Sequence, residues 1–369
     1  MTTLPATPTD RTETTPTDDD PPEIGRAKAA VKGILGSKVT PERYDSVRLA
    51  YRFVERGSIT LTNTWYDLRR YYKHSFVLRD PTTPEQMRYF LRMRYHTFEK
   101  GLAMPDPRPG FGQQKLAALL RVLDRYESQF GYDELVGIVV NVLTEYQAFN
   151  ASHGIVLENL EARLGAYRAS YPQIDDVERG GTIAVTRGDI EKYADLDFEA
   201  FARCRYSVRN YAPDPVSHEL IESAVRVAQK APSVCNRQAP RVHVFTEKER
   251  VDFVLSYQLG HRGFGHTIPC VMVITSDLQS YYKPGERFQA WIDGGLFAMS
   301  LIFGLHAQGL GTCCLNWNVT KEDDLRMRKA VGIPDNEVVI TMLAVGHIPE
   351  TFSVAESPRR PIDEVLKYG

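Results

Sequence analysis

The chain has 369 residues, enough for two domains at roughly 100–200 residues each. Its 45 basic and 47 acidic side chains leave a formal charge of −2, without the basic excess that nucleic-acid binding uses. The longest apolar stretch, Leu296–Leu305, is broken by Ser300 and Gly304 and falls short of the about 20 residues that cross a bilayer, which argues against a membrane protein.

Residues 1–24 are rich in Thr, Pro and Asp and have neither the basic start nor the apolar core of a secretion signal. They hold too little apolar surface to offset their ordering entropy, and are expected to be the disordered tail of a cytoplasmic protein. Residues 25–170 read as an all-α domain. Between the breaks at Pro81–Pro84 and 104–112, His96, Glu99 and Lys100 share one helical side at i, i+3 and i+4, as a solvated ion-pair face or a polar site would. Gln114–Phe130 places Leu116, Leu119, Leu120, Leu123 and Tyr126 on one face, and Asp133–Phe149 does the same with Leu135, Val136, Val139, Val140, Leu143 and Tyr146. Residues 171–195, with Pro172 and the pair Gly180-Gly181, are expected to be a linker to a domain over 196–369.

From about residue 196 strands alternate with helices. Ser217 caps a predicted helix reaching Lys230, and Arg241–Thr246 is a short strand. Pro269–Thr275 is an apolar run suited to a strand covered on both faces. Trp291–Gln308 is apolar nearly all round, which predicts a buried helix. A strand at Thr312–Leu315 follows, then a helix Lys321–Val331 between the N-cap Thr320 and Gly332, then a central strand Glu337–Val345. The predicted class is an α/β sandwich, a mixed sheet with helices on both faces, preceded by the all-α domain. The five cysteines, Cys204, Cys235, Cys270, Cys313 and Cys314, form no disulfide pattern and are expected to be reduced and mostly buried. His261, His266 and Cys270 lack a fourth donor nearby, so no metal site is expected.

The chemistry concentrates in two segments. In Arg205–Val216 (RYSVRNYAPDPV), Arg205, Ser207 and Arg209 alternate, so an extended backbone projects all three to one side. Two guanidinium forks and a hydroxyl converging there suit a phosphate. Alone, such a triplet reads as a solvated strand edge making ion pairs. It is followed at a helix length by Ala231–Pro240 (APSVCNRQAP).

Together these segments resemble the FMN-dependent nitroreductase family, with its RxSxR entry and APSxxNxQ segment. Ile268–Asp277, Ile292–Ser300, His306–Leu315, Val345–Pro349 and Pro358–Pro361 are similar, in order, to the family's later strands, core helix and tail. The resemblance implies bound FMN, commonly at a homodimer interface, and two-electron chemistry with NADH or NADPH and a small-molecule acceptor. It implies that Arg205 and Ser207 hold the FMN phosphate, with Arg359 or Arg360 adding charge, while Arg209 reaches toward the ribityl chain and pyrimidine. Pro232, Ser233, Asn236 and Gln238 would line the flavin from the partner subunit. Gly311, Cys314, Leu315 and Asn316 would meet the ring mainly through backbone groups. No catalytic side chain is assigned, because the flavin carries the chemistry. Tyr206 and Gln238-Ala-Pro-Arg241 depart from the family pattern and leave the acceptor open: nitro, quinone or enone compound, or a biosynthetic intermediate. Two alternatives stay open, a non-catalytic flavin-binding scaffold and an FMN-dependent dehydrogenase working oxidatively. Since the matched motifs lie after residue 198, the helical part is expected to adjust substrate access and not to build the flavin site.

Overall fold

The computed structural model describes residues 41–369; the 1–24 tail and the start of the helical domain at 25–40 lie outside the described residues. In chain order the helical part comprises α1 (Pro41–His74), α2 (Pro84–Leu102), α3 (Gln113–Phe130), α4 (Glu134–Ser152), α5 (Glu158–Ser170), α6 (Arg187–Ala194) and α7 (Phe198–Arg203). There follow α8 (His218–Ala228), β1 (Pro240–Phe245), α9 (Lys248–Leu255), β2 (Cys270–Asp277), α10 (Gln289–Ala307) and β3 (Leu310–Leu315). The chain ends with α11 (Lys321–Val331), β4 (Glu337–His347) and α12 (Ile362–Val365).

Among the described residues two compact units emerge, one of 41–73 with 318–335, the other of 74–317 with 336–369. In the first, α11 starts where the Thr320 side chain accepts from the Asp323 amide and ends at Gly332, whose φ of +80° is the left-handed turn that glycine adopts without strain. Buried charges tie α1 to this segment. Tyr66 donates to Asp324 at 2.7 Å, Arg328 donates to Tyr66 at 2.5 Å, and Arg70 donates to the Asp335 carbonyl at 2.9 Å. Arg70 and Arg328 are almost wholly buried, so these partners are what makes their charge tolerable.

In the second unit, α2 begins with a capping box: the Thr83 side chain accepts from the Gln86 amide, and Gln86 reaches back to the Thr83 amide. The predicted apolar faces of α3 and α4 are all buried, in one core with Met87, Leu91, Phe98 and Leu160. Residues 171–182 are not a free linker. Gly180 and Gly181, at φ +105° and +92°, turn the chain back onto α4, where Asn141 donates to the Val177 carbonyl at 2.6 Å and Glu145 accepts from the Thr182 amide at 2.7 Å. The composition break at 171–195 and the division into compact units therefore fall at different places.

The four strands of the sheet, in the order β1-β2-β4-β3, pair antiparallel throughout. The parallel component expected of a mixed sheet is the isolated bridge Ser207–Thr312. Since β2 and β3 both run against β4, they run parallel to each other, and α10 is the crossover between them. Every residue of β2 is buried. Cys270, Met272 and Ile274 face a core with Leu301, Leu305 and Ala224, and the alternate residues Val271 and Val273 are covered as well.

Helix α10 corrects the expectation of full burial. One side, including Asp293, Phe297, Leu301 and Leu305, is buried, whereas Trp291, Ile292, Leu296 and Met299 are 37%, 54%, 43% and 39% exposed. Apolar residues all round a helix can mean two contact faces, and this unit covers one of them. Among the described residues α10 is also long and apolar enough to cross a membrane, with half of it packed within the chain. Where α10 crosses α8, a Cβ at Gly304 would lie 2.8 Å from the Ala224 carbonyl oxygen and 3.0 Å from its Cα. Backbone cannot yield as a side-chain tip does, so Gly304→Val is expected to lower the unfolding free energy by about 1–3 kcal/mol in a denaturant titration. An unchanged midpoint and slope would show that the crossing has room.

Candidate flavin site

The 205–209 segment lies along β3. Ser207 bridges Thr312, and the Val208 amide donates to the Thr312 carbonyl at 2.9 Å. Val208 is buried against Gly311, where an added Cβ would come within 3.0 Å of it; that close approach is the physical reason for glycine at this position. With Val208 turned inward, alternation places Arg205, Ser207 and Arg209 on the opposite side. Among the described residues, neither arginine has an ion-pair or hydrogen-bond partner. Although Cys314 is exposed as a residue, the protein packed around its thiol raises the pKa by desolvation while the Arg205 charge pulls it down; the buried Cys313 is likewise raised by burial and eased by Arg209.

Adjacent residues of β3 face opposite ways: Cys313 is buried and Cys314 exposed. Cys204 and Cys235 are exposed too, which corrects the expectation of mostly buried thiols; all five are free. Leu315 is buried, and the Asn316 carbonyl accepts from the buried Gln258 at 2.6 Å. Gln258 was not singled out in the sequence, where nothing local marks its reach across 58 positions to Asn316.

The 232–238 segment is a strained loop around a 3₁₀ turn, Val234–Asn236. Cys235, Asn236 and Gln238 have φ of 50°, 52° and 58°, left-handed values that cost L-residues roughly 1–2 kcal/mol each. Such strain collects at functional sites, where surrounding contacts over-determine the backbone. Here the Gln238 amide donates to Ser233 Oγ at 3.0 Å, Gln238 Nε2 donates to Asn236 Oδ1 at 3.3 Å, and the Val234 amide donates to Asp293 at 3.1 Å. Burial raises the Asp293 pKa against the opposing pull of the Gln289 side chain, the Val234 amide and the Arg237 charge. Pro232, Ser233, Gln238 and Asp293 also line a cavity of about 30 Å³, the space of one water and not of a ring.

No hydrogen bond or ion pair among the described residues joins this loop to Arg205 or Arg209. The tail makes local contacts: Arg359 donates to the Ser357 carbonyl, and Arg360 lies 4.0 Å from Glu364. What the sequence did not reveal is that α2 packs directly against the 234–236 turn. Tyr89 of α2 donates to the buried Asp277 at 3.0 Å and accepts from Arg241 at 2.8 Å, just beyond the loop.

The chain thus carries a strained loop at 232–238 and, beside β3, an Arg-Ser-Arg edge whose arginines have no partner among the described residues. The nitroreductase family model matches residues 202–260 and 249–347, so this C-terminal part of the chain is similar to that family, and the helical part before it lies outside the match. The chain is 33% identical over 110 residues to a 4-nitrobenzoate reductase of Pseudomonas putida, covering 30% of this chain and 44% of that protein, less than half the relative's length. It is 25% identical over 147 residues to a putative NADH dehydrogenase/NAD(P)H nitroreductase of Archaeoglobus fulgidus, covering 39% and 80%. Among solved structures, a nitroreductase family protein of Clostridium difficile 630 aligns over 47% of this chain and 98% of its own, with 24% identity and a TM-score of 0.41. A putative nitroreductase in complex with FMN from Desulfovibrio desulfuricans aligns over 47% and 98%, with 21% identity and a TM-score of 0.42.

Proposed function

We propose that the protein is an FMN-dependent oxidoreductase that works as a homodimer with NADH or NADPH as reductant and a small organic molecule as acceptor. The observation that carries this reading is the Arg205-Ser207-Arg209 edge: two guanidinium groups without a carboxylate partner among the described residues, flanking a hydroxyl beside β3. A ligand phosphate supplies the missing negative charge. When bound, FMN supplies the two-electron chemistry, accepting hydride from the nicotinamide and giving it to the acceptor. Arg205 and Ser207 hold the phosphate, and Arg209 places a cation where the flavin gains charge on reduction. Gly311, Cys314, Leu315 and Asn316 would hold the flavin mainly through backbone groups, and Pro232, Ser233, Asn236 and Gln238 would hold the flavin of the second copy. The apolar stripe of α10 supports that second copy: Trp291, Ile292, Leu296 and Met299 share one side of the helix and are partly exposed among the described residues.

The purified protein is expected to be yellow, to absorb as oxidised flavin, and to bleach on addition of NADH or NADPH without oxygen. A yellow protein that no nicotinamide bleaches would replace the reductase reading with a flavin-binding scaffold or a flavin dehydrogenase. A colourless protein that takes up no added FMN would end the flavin reading.

A further inference from the structure

Between the half-buried Asn236 and the exposed Gln238 sits Arg237, whose side chain is fully buried. Its guanidinium makes four hydrogen bonds: Nε to the Val234 carbonyl at 3.1 Å, one terminal nitrogen to the Ser280 carbonyl at 2.5 Å and to Glu286 at 3.1 Å, the other to Glu286 at 2.6 Å. It also stacks over the rings of Tyr281 and Tyr282, at 5.6 Å and 5.4 Å. Burial pushes the Glu286 carboxyl up, but the bonds from Arg237 and from the Tyr282 amide outweigh it and hold the group below its ordinary value. The contacts continue outward. Tyr282 stacks on Phe76 at 5.7 Å and 15°, Phe76 meets Phe90 of α2 at 6.4 Å, and the Arg94 guanidinium lies 4.8 Å over Phe90. The Phe76 amide donates to the Tyr281 carbonyl at 3.1 Å, fixing the two strands of chain that carry this stack.

We propose that Arg237 is a positioning residue: clamped by Glu286 and by the stack Tyr282–Phe76–Phe90–Arg94, it fixes the left-handed backbone of the 233–238 loop and so presents Ser233, Asn236 and Gln238 to the flavin. The appended helix α2 is thereby part of the cofactor site's support, although it contributes none of its matched motifs. The inference rests on the FMN reading. Three left-handed non-glycine residues within four positions persist only where the surroundings leave no alternative, and Arg237 is the one residue of the loop whose side chain is locked on every side. A freed loop would relax to ordinary φ values and turn Asn236 and Gln238 away from each other.

The test uses the full-length protein with Arg237→Met, Arg237→Lys, Glu286→Gln and Phe90→Leu. FMN and riboflavin affinities are measured at a temperature where each variant is folded, alongside amide exchange at Ser233 and Gln238 without flavin. Arg237→Met is expected to weaken both ligands by the same factor, roughly tenfold or more, equivalent to about 1.4 kcal/mol per decade. Exchange at Gln238 should quicken in step. Lys, which lacks the planar fork, should not rescue, and Glu286→Gln and Phe90→Leu should show the same signature in milder form. If Arg237→Met does not fold, those two milder variants decide. Folded variants with wild-type exchange and wild-type affinity for both flavins would overturn the clamp and leave the FMN reading standing. Wild-type protein that binds neither flavin would end the FMN reading, while the exchange data would still judge the clamp.

Discussion

Arg205→Ala is expected to weaken FMN binding roughly ten- to a hundredfold and to leave riboflavin binding nearly unchanged. A charge-assisted, forked contact to a phosphate contributes about 1.5–3 kcal/mol, and about 1.4 kcal/mol is a factor of ten in affinity. The side chain has no partner among the described residues, so its removal breaks no internal ion pair and strands no buried carboxylate. The loss should therefore appear in the ligand that carries a phosphate and not in the melting temperature. Equal losses for FMN and riboflavin would show that Arg205 supports the sheet edge near Cys314 and not the phosphate. That equal-loss pattern is the one expected of Arg237→Met, so the two variants distinguish a residue that touches the ligand from one that shapes the loop.

The parts of this fold legible in the sequence are those set by neighbours along the chain. Ser217 and Thr320 cap the helices they were expected to cap, because a hydroxyl accepting an amide three residues on is a local event. The faces of α3 and α4 follow from the 3.6-residue period. Strand positions agree to within a few residues, as Arg241–Thr246 against Pro240–Phe245 shows. Partners remote in sequence were not legible. That β4 lies between β2 and β3 depends on pairing energetics across the whole sheet, and no local pattern encodes it. Tyr89 and Asp277 are 188 positions apart, and each alone is an ordinary residue of its element.

The candidate site divides in the same way. Alternation announces Arg205, Ser207 and Arg209, and the turn-forming composition of 231–240 announces a loop. Arg237, in contrast, reads as an exposed spacer between two polar residues, since arginine is seldom fully buried. Glu286, the Ser280 carbonyl and the two tyrosine rings, over 40 positions away, make its burial possible, and nothing near it in sequence announces them. The half-exposed α10 has the same origin: periodicity tells how many faces are apolar, not which of them the same chain covers.

A chain beginning at Asp189 is expected to fail as a flavin domain, the opposite of what the position of the sequence motifs alone implies. The cut removes Phe76 from Tyr282, Phe90 and Met93 from the same cluster, and Tyr89 from between Asp277 and Arg241. Burying each large side chain stabilises by about 1.5–3 kcal/mol as an upper estimate, so these four together approach the about 5–15 kcal/mol that separates a folded domain from its unfolded state. The cut also uncovers Asp277, whose pKa burial has raised, and leaves Arg241 without Tyr89. The fragment should show a broad, weakly cooperative thermal transition and no saturable quenching of FMN fluorescence. A chain beginning at His74, where the second compact unit starts, keeps all four side chains and should perform better on both measurements. A soluble 189–369 fragment that melts cooperatively and binds FMN as tightly as the full chain would sink this expectation. The contacts of α2 with the 234–236 turn would then be incidental to the proposed flavin site, and the part of the chain that the nitroreductase family model matches would be autonomous.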